Sequence, residues 1–156
     1  MDFENVQWVD FIDNVDERGR LTAIEGEITV PFSIKRVFYV YQVHHGVARG
    51  GHAHRETDQV LTVISGSLDV LISNGLEHRK YRLDNPGKGI FIPRMLWVKM
   101  FDFSPGAACL VFASTNYDRS KSIRTWKQFS EVLGISCKEE PGTELPVTMI
   151  SKKGCL

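Results

Sequence analysis

Between Phe32 and about Ala113 the chain alternates as a sheet does, and this constrains the fold more than any other feature. In "FSIKRVFYVYQV", Arg36, Phe38 and Val40 fall on one face, while Lys35, Val37, Tyr39 and Tyr41 fall on the other. "QVLTVISGSLDVLISNG" reads as two strands joined at Ser65-Gly66-Ser67. Asn74-Gly75 marks a hairpin between "LDVLIS" and "LEHRKYRL". "NPGKG" is a turn before the short strand "IFIP", and "AACLVFAS" is a further apolar strand. Short strands at regular spacing, separated by Gly, Pro and Asn, predict an all-β sandwich or barrel. One helix is expected, over "SIRTWKQFSEVLG", where Ile123, Trp126, Phe129 and Leu133 repeat at helical spacing and Gly134 suits a C-cap.

The chain has 156 residues, enough for one domain with a real core. Lys+Arg and Asp+Glu both total 19, so the net charge is zero and no partner nucleic acid or membrane surface is implied. The three cysteines, Cys109, Cys137 and Cys155, are scattered and odd in number. They form neither a zinc pattern nor a disulfide framework and fit a reducing cytoplasm. The start, "MDFENVQWVDF", is acidic where a signal peptide would be basic, and no apolar run is long enough to span a bilayer. Residues 1–134 are expected to form the barrel domain. Residues 135–156 are a mixed tail in which "LPVTMI" could add a strand or pack on a partner.

Chemistry concentrates in "RGGHAHR", residues 49 to 55. On a strand, residues i and i+2 share a side, so His52 and His54 project together. Paired histidines at a barrel mouth hold a metal in many cupins, whose motifs resemble G(x)5HxH(x)4E(x)6G and G(x)5PxG(x)2H. Here the frame persists without its ligands. Gln59 fills the glutamate slot and Gly66 closes the first motif. In the second, Gly87 and Pro93 fit, Met95 replaces the glycine and Val98 replaces the third histidine. A valine cannot ligate and a neutral amide is a poor substitute for a carboxylate, so no metal is expected.

With those residues in place, "PFSIKRVFYVYQV", "RGGHAHRETDQVLTVISGSLDVLISNG", "LDNPGKGIFIPRMLW" and "FDFSPGAACLVFASTNYD" resemble the nucleotide-sugar 3,4-ketoisomerases. "RGRLTAIE" is similar to that family's opening strand. The resemblance runs from about Arg18 to Arg124. It implies a double-stranded β-helix (jelly-roll) cupin barrel with one short C-terminal helix, acting without metal or other cofactor on dTDP-4-keto-6-deoxy-D-glucose. It also implies a homodimer with exchanged N-terminal strands, serving deoxyamino-sugar synthesis for surface polysaccharides or antibiotics.

Moving a carbonyl from C4 to C3 through an enediol needs one shuttling acid/base, and histidine suits that task. His54 is the expected base, with His52 orienting it or polarising a sugar oxygen; the two roles could be exchanged. The resemblance assigns Arg49 to the sugar or diphosphate and Arg18 to the sugar. Arg36 and Tyr39 face opposite ways, so only one can reach the cavity without a bulge. Gln59 is expected to bond a sugar hydroxyl or a buried backbone group. Trp97 is expected either to stack on the substrate or to belong to the core.

Two departures from the family pattern stand out. "WVKM" replaces "WHEM", putting Val98 at a position tied to the configuration at C4. "YDRSKSIR" replaces "YDETDYIR", losing an acid and a tyrosine but keeping Arg124. The competing readings are a related deoxysugar epimerase and a non-catalytic sugar-nucleotide binding cupin.

Overall fold

The computed structural model describes residues 3–142. After a 3-10 turn at Phe3–Asn5 the chain runs through β1 (Gln7–Asp10), β2 (Ile12–Asp16), β3 (Gly19–Ala23), β4 (Arg36–Tyr41), β5 (Arg49–His54), β6 (Gln59–Ser65) and β7 (Leu68–Ser73). It continues through β8 (His78–Leu83), β9 (Lys88–Ile92), β10 (Trp97–Phe101), β11 (Ala108–Ala113), β12 (Ser122–Ile123) and the helix α1 (Trp126–Leu133). The strands expected from alternation and turn residues are all present. "LPVTMI" and Cys155 lie outside the described residues.

Two five-stranded antiparallel sheets make the jelly roll. One has the order β1-β9-β6-β11-β4 and the other β12-β5-β10-β7-β8. Their facing sides meet in one apolar core built from Leu61 and Val63 of β6, Val70 and Ile72 of β7, Ile90 and Ile92 of β9, and Cys109 and Val111 of β11. Full burial of such a side chain stabilises by about 1.5–3 kcal/mol, which makes this contact the main cohesion of the fold. Burial also pushes the Cys109 thiol up to about 12, leaving it inert as a nucleophile.

The helix begins later than its apolar spacing predicts. Ser122 and Ile123 pair with His54 and Ala53 as β12. Thr125 then caps α1, its hydroxyl accepting from the Gln128 N–H, and Gly134 closes it in the left-handed conformation at φ 68°. Ile123 fits the helical repeat because it feeds the same cluster as Trp126 and Phe129 on the outer face of the second sheet. Past the helix the chain returns over that face. The Trp126 indole N–H donates to the Lys138 carbonyl at 2.8 Å, and Glu140 accepts from Trp97 Nε1 at 3.2 Å and from Lys99 Nζ at 3.1 Å.

Strands β2 and β3 pair only with each other, apart from both sheets. This hairpin exposes Ile12, Val15 and Leu21, and its Arg20 is salt-bridged to Asp13. β1 pairs with β9 of the same chain.

Candidate active site

β5 carries the site, and a bulge decides which of its residues face inward. Across β10, His52 stands opposite Val98 and Arg49 opposite Met100, with the register shifting between Val98 and Lys99. Directly opposed residues of an antiparallel pair point to the same side. Val98 and Met100 both belong to the core between the sheets, so Arg49 and His52 both turn inward although they stand three positions apart. Gly50 and Gly51 absorb the extra residue at φ 84° and 73°. A Cβ at Gly50 would lie 2.8 Å from the Val98 carbonyl oxygen. The two glycines in front of the histidines therefore bring the arginine in beside them.

His52 and His54 do share a side. Their rings meet edge to face with centroids 4.8 Å apart. Gln59, from the start of β6, approaches His54 Nε2 with its amide at 3.3 Å, and the Ser122 hydroxyl approaches His54 Nδ1 at 3.4 Å. Burial pushes both imidazoles down, His52 to about 4 and His54 to about 3. For His52 the Arg124 guanidinium adds to this; for His54 the neighbouring His52 does, and Arg36 acts on both. At neutral pH the pair is uncharged, the protonation state a general base requires.

Arg36 and Tyr39 separate as alternation demands. Arg36 turns inward, its guanidinium 5.2 Å from the Phe38 ring and 5.3 Å from that of Tyr117. It shares a hollow of about 210 Å³ with His54, Thr57, Thr115 and Ser122. Tyr39 is exposed on the outer face, against Tyr41. Arg49, His52, Gln59 and Val98 line a tighter interior space of about 40 Å³.

Trp97 corrects one of the two roles expected of it. Being adjacent to Val98, it points the other way and is buried against Trp126 and Phe129, with centroids 5.5 Å from each. It belongs to the core rather than to a stacking platform in the cavity. Arg18 sits in the turn of the β2–β3 hairpin, exposed and paired with Asp16. Within one chain it lines none of the hollows at the histidines.

Ser122 was visible in the sequence only as a lost tyrosine; its register opposite His54 comes from β12. Arg124 follows directly, and its buried Nε has no hydrogen-bond partner.

The metal centre of many cupins does not fit these residues. Beyond the two imidazoles the cavity offers an amide and a valine. Among the described residues no three His, Cys, Asp or Glu side chains are placed to share an ion. A larger hollow of about 350 Å³ lies elsewhere, beside Lys99 and Phe101, and contains neither histidine of the pair. Among the described residues no helix is long and apolar enough to cross a membrane.

Two antiparallel sheets closed around a histidine pair define a cupin. The sequence matches the FdtA family (WxcM-like, C-terminal) over residues 4–134, and the chain belongs to that family. It is 35% identical over 134 residues to the TDP-4-oxo-6-deoxy-alpha-D-glucose-3,4-oxoisomerase of Aneurinibacillus thermoaerophilus, covering 86% of this chain and 96% of the relative. The fold is similar to that of the 3,4-ketoisomerase QdtA from Thermoanaerobacterium thermosaccharolyticum, solved as a histidine-to-asparagine variant with TDP-4-keto-6-deoxyglucose. That match has a TM-score of 0.80 at 37% identity and covers 82% of this chain and 93% of the other. A 3,4-ketoisomerase from Helicobacter canadensis matches with a TM-score of 0.81 at 35% identity, covering 83% and 98%.

Proposed function

We propose that this chain is a TDP-4-keto-6-deoxyglucose 3,4-ketoisomerase that moves the carbonyl from C4 to C3 through an enediolate. The observation that carries this reading is the pair of imidazoles held uncharged side by side in the cupin cavity. The family membership and the activities named for its relatives supply the substrate class. His54 is the base that takes the C3 proton, and His52 orients it or polarises a sugar oxygen. Gln59 is within reach of His54 and of a sugar hydroxyl. Arg49 is a fork for paired oxygens of the sugar or the diphosphate. Val98 shapes the wall beside His52 and bears on the configuration at C4.

The catalytic unit is residues 1–134, and residues 135–156 are an appended segment. The enzyme works as a homodimer with exchanged N-terminal strands. Two features support this: the hairpin of β2 and β3 is bonded to neither sheet, and β4, at the end of its sheet, exposes Val37, Tyr39 and Tyr41. A hairpin laid on a partner would cover apolar surface on both and carry Arg18 toward a site in the dimer. The unpaired thiols of Cys109 and Cys137 suit the cytoplasm.

The deciding experiment is proton NMR of the protein with TDP-4-keto-6-deoxyglucose in deuterated water. A 3-keto sugar carrying deuterium at C4 is expected. Bound but unchanged substrate, with no exchange, would instead make the chain a binding module. Light scattering should give the mass of a dimer, and a monomer at micromolar concentration would remove the strand exchange.

A further inference from the structure

Two arginines at the histidine pair have no bonded partner for groups they bury. Arg36 Nε and Arg124 Nε are both buried without a hydrogen-bond partner. A buried N–H is costly to leave unmatched, so these two atoms point to a ligand that completes them. The nearby carboxylates are engaged elsewhere: Glu56 holds Lys121 at 2.8 Å, and Asp118 accepts from Ser120. Arg36 packs on two aromatic rings, and Arg124 immediately follows the strand that pairs Ser122 with His54. Two cationic donors left unmatched beside the imidazoles suit an anionic oxygen.

We propose that Arg36 and Arg124 together form the oxyanion site that carries the negative charge of the enediolate. This rests on the ketoisomerase reading. When the base removes the C3 proton, the C–H electron pair becomes the C3–C4 double bond and the C4 carbonyl pair moves onto its oxygen. That oxygen takes the charge. A proton then passes from the C3 oxygen to the C4 oxygen. The C3 oxygen reforms a carbonyl as the double-bond electrons take a proton at C4, so no oxidant or reductant is consumed. Only the intermediate is an oxyanion at this place, so two preset guanidinium groups favour it over the neutral ketone. Burial does most to keep protons off the imidazoles and the same positive charge adds to it, so one pair of arginines helps to ready the base and receives the electrons it releases.

Arg124→Gln tests this, with the wild type run first on TDP-4-keto-6-deoxyglucose. A wild type that neither isomerises nor exchanges deuterium would fail the ketoisomerase reading itself. With an active wild type, Arg124→Gln is expected to lose about 100- to 1,000-fold in kcat, with Kd for TDP alone within threefold of wild type. Guanidinium chloride at millimolar concentration should restore part of the rate in Arg124→Ala and none in wild type. Arg124→Lys, which keeps the charge and gives a variant less open to misfolding, should fall between wild type and Arg124→Gln. A kcat in Arg124→Gln and Arg124→Lys within threefold of wild type would overturn the proposal. So would a tenfold loss of TDP affinity, which would move Arg124 to the diphosphate.

Discussion

Arg49 and His52 turn into one cavity from positions three apart on a single strand, which regular alternation forbids. The bulge at Gly50 and Gly51 makes this possible, and it needs backbone angles that only glycine adopts without strain. Gly50→Ala should therefore damage the site and the sheet together. The added Cβ meets the Val98 carbonyl at 2.8 Å, and a cost of about 1–3 kcal/mol is expected. Chemical denaturation checks the stability and the isomerisation rate checks the site. A variant with wild-type midpoint and rate would show that the bulge does not set the position of Arg49.

His54→Asn should abolish turnover while leaving the fold intact. General-base catalysis contributes about 100- to 10,000-fold, so the rate should fall by at least the lower figure. Circular dichroism and TDP affinity should remain those of the wild type. If the rate survives there but disappears in His52→Asn, the two histidines exchange roles.

The depressed histidines have a signed consequence for pH. In the unfolded chain they take protons near 6.5; in the folded one His52 does so only near 4 and His54 near 3. Between those values the unfolded state binds more protons, so stability must fall as pH drops from 6.5 toward 4. Melting temperatures between pH 7 and pH 5 should decline, and the double variant His52→Asn/His54→Asn should flatten the decline. A wild-type melting temperature that is level over this range would contradict the burial ascribed to the pair. The acid limb of kcat/KM for the free enzyme should likewise lie below pH 5 rather than at 6.5.

Exhaustive dialysis against EDTA should leave the rate unchanged, because the cavity lacks a ligand set for a transition metal. Loss of activity, recovered on adding a divalent cation, would restore the metal-dependent reading.

Glu140→Ala should destabilise the protein without touching the cavity. The Lys99 side chain is 9% exposed and its ammonium rests on Glu140. Removing the partner leaves a nearly buried charge uncompensated. For fully buried pairs this costs about 3–5 kcal/mol; with Glu140 at 27% exposure a smaller loss is expected, about 1.5–3 kcal/mol on the scale of hydrogen bonds to charged groups. Lys99→Met in the same background should recover much of it, and failure to do so would place the loss elsewhere.

Much of this was legible because its physics is local. Alternation placed Arg36 and Phe38 on one face and Tyr39 on the other, Asn74-Gly75 marked its hairpin, and the spacing of His52 and His54 put them together. What stayed hidden depends on partners distant in sequence. Nothing in "RGG" says that the glycines form a bulge rather than a turn, because the register is set by β10. Alternation separated Trp97 from Val98 but could not say which faced the cavity, since α1 makes the outer face as dry as the inner one. The charge on Arg124 was plain, but its place beside His52 depends on β12 joining β5, and Ser122 and Ile123 had read as the first turn of a helix.

Met95 occupies the slot where the cupin frame has glycine, and it does so at φ 63° while its N–H holds the His54 carbonyl at 2.7 Å. A non-glycine residue there gives up about 1 kcal/mol to backbone sterics, yet the left-handed turn persists. The motif is thus written in torsion angles, and the letter G is only its commonest spelling. A search for such sites by dihedral signature would recover members that a search by residue pattern discards, among them chains that, like this one, keep the turn without a metal-ligand set among their described residues.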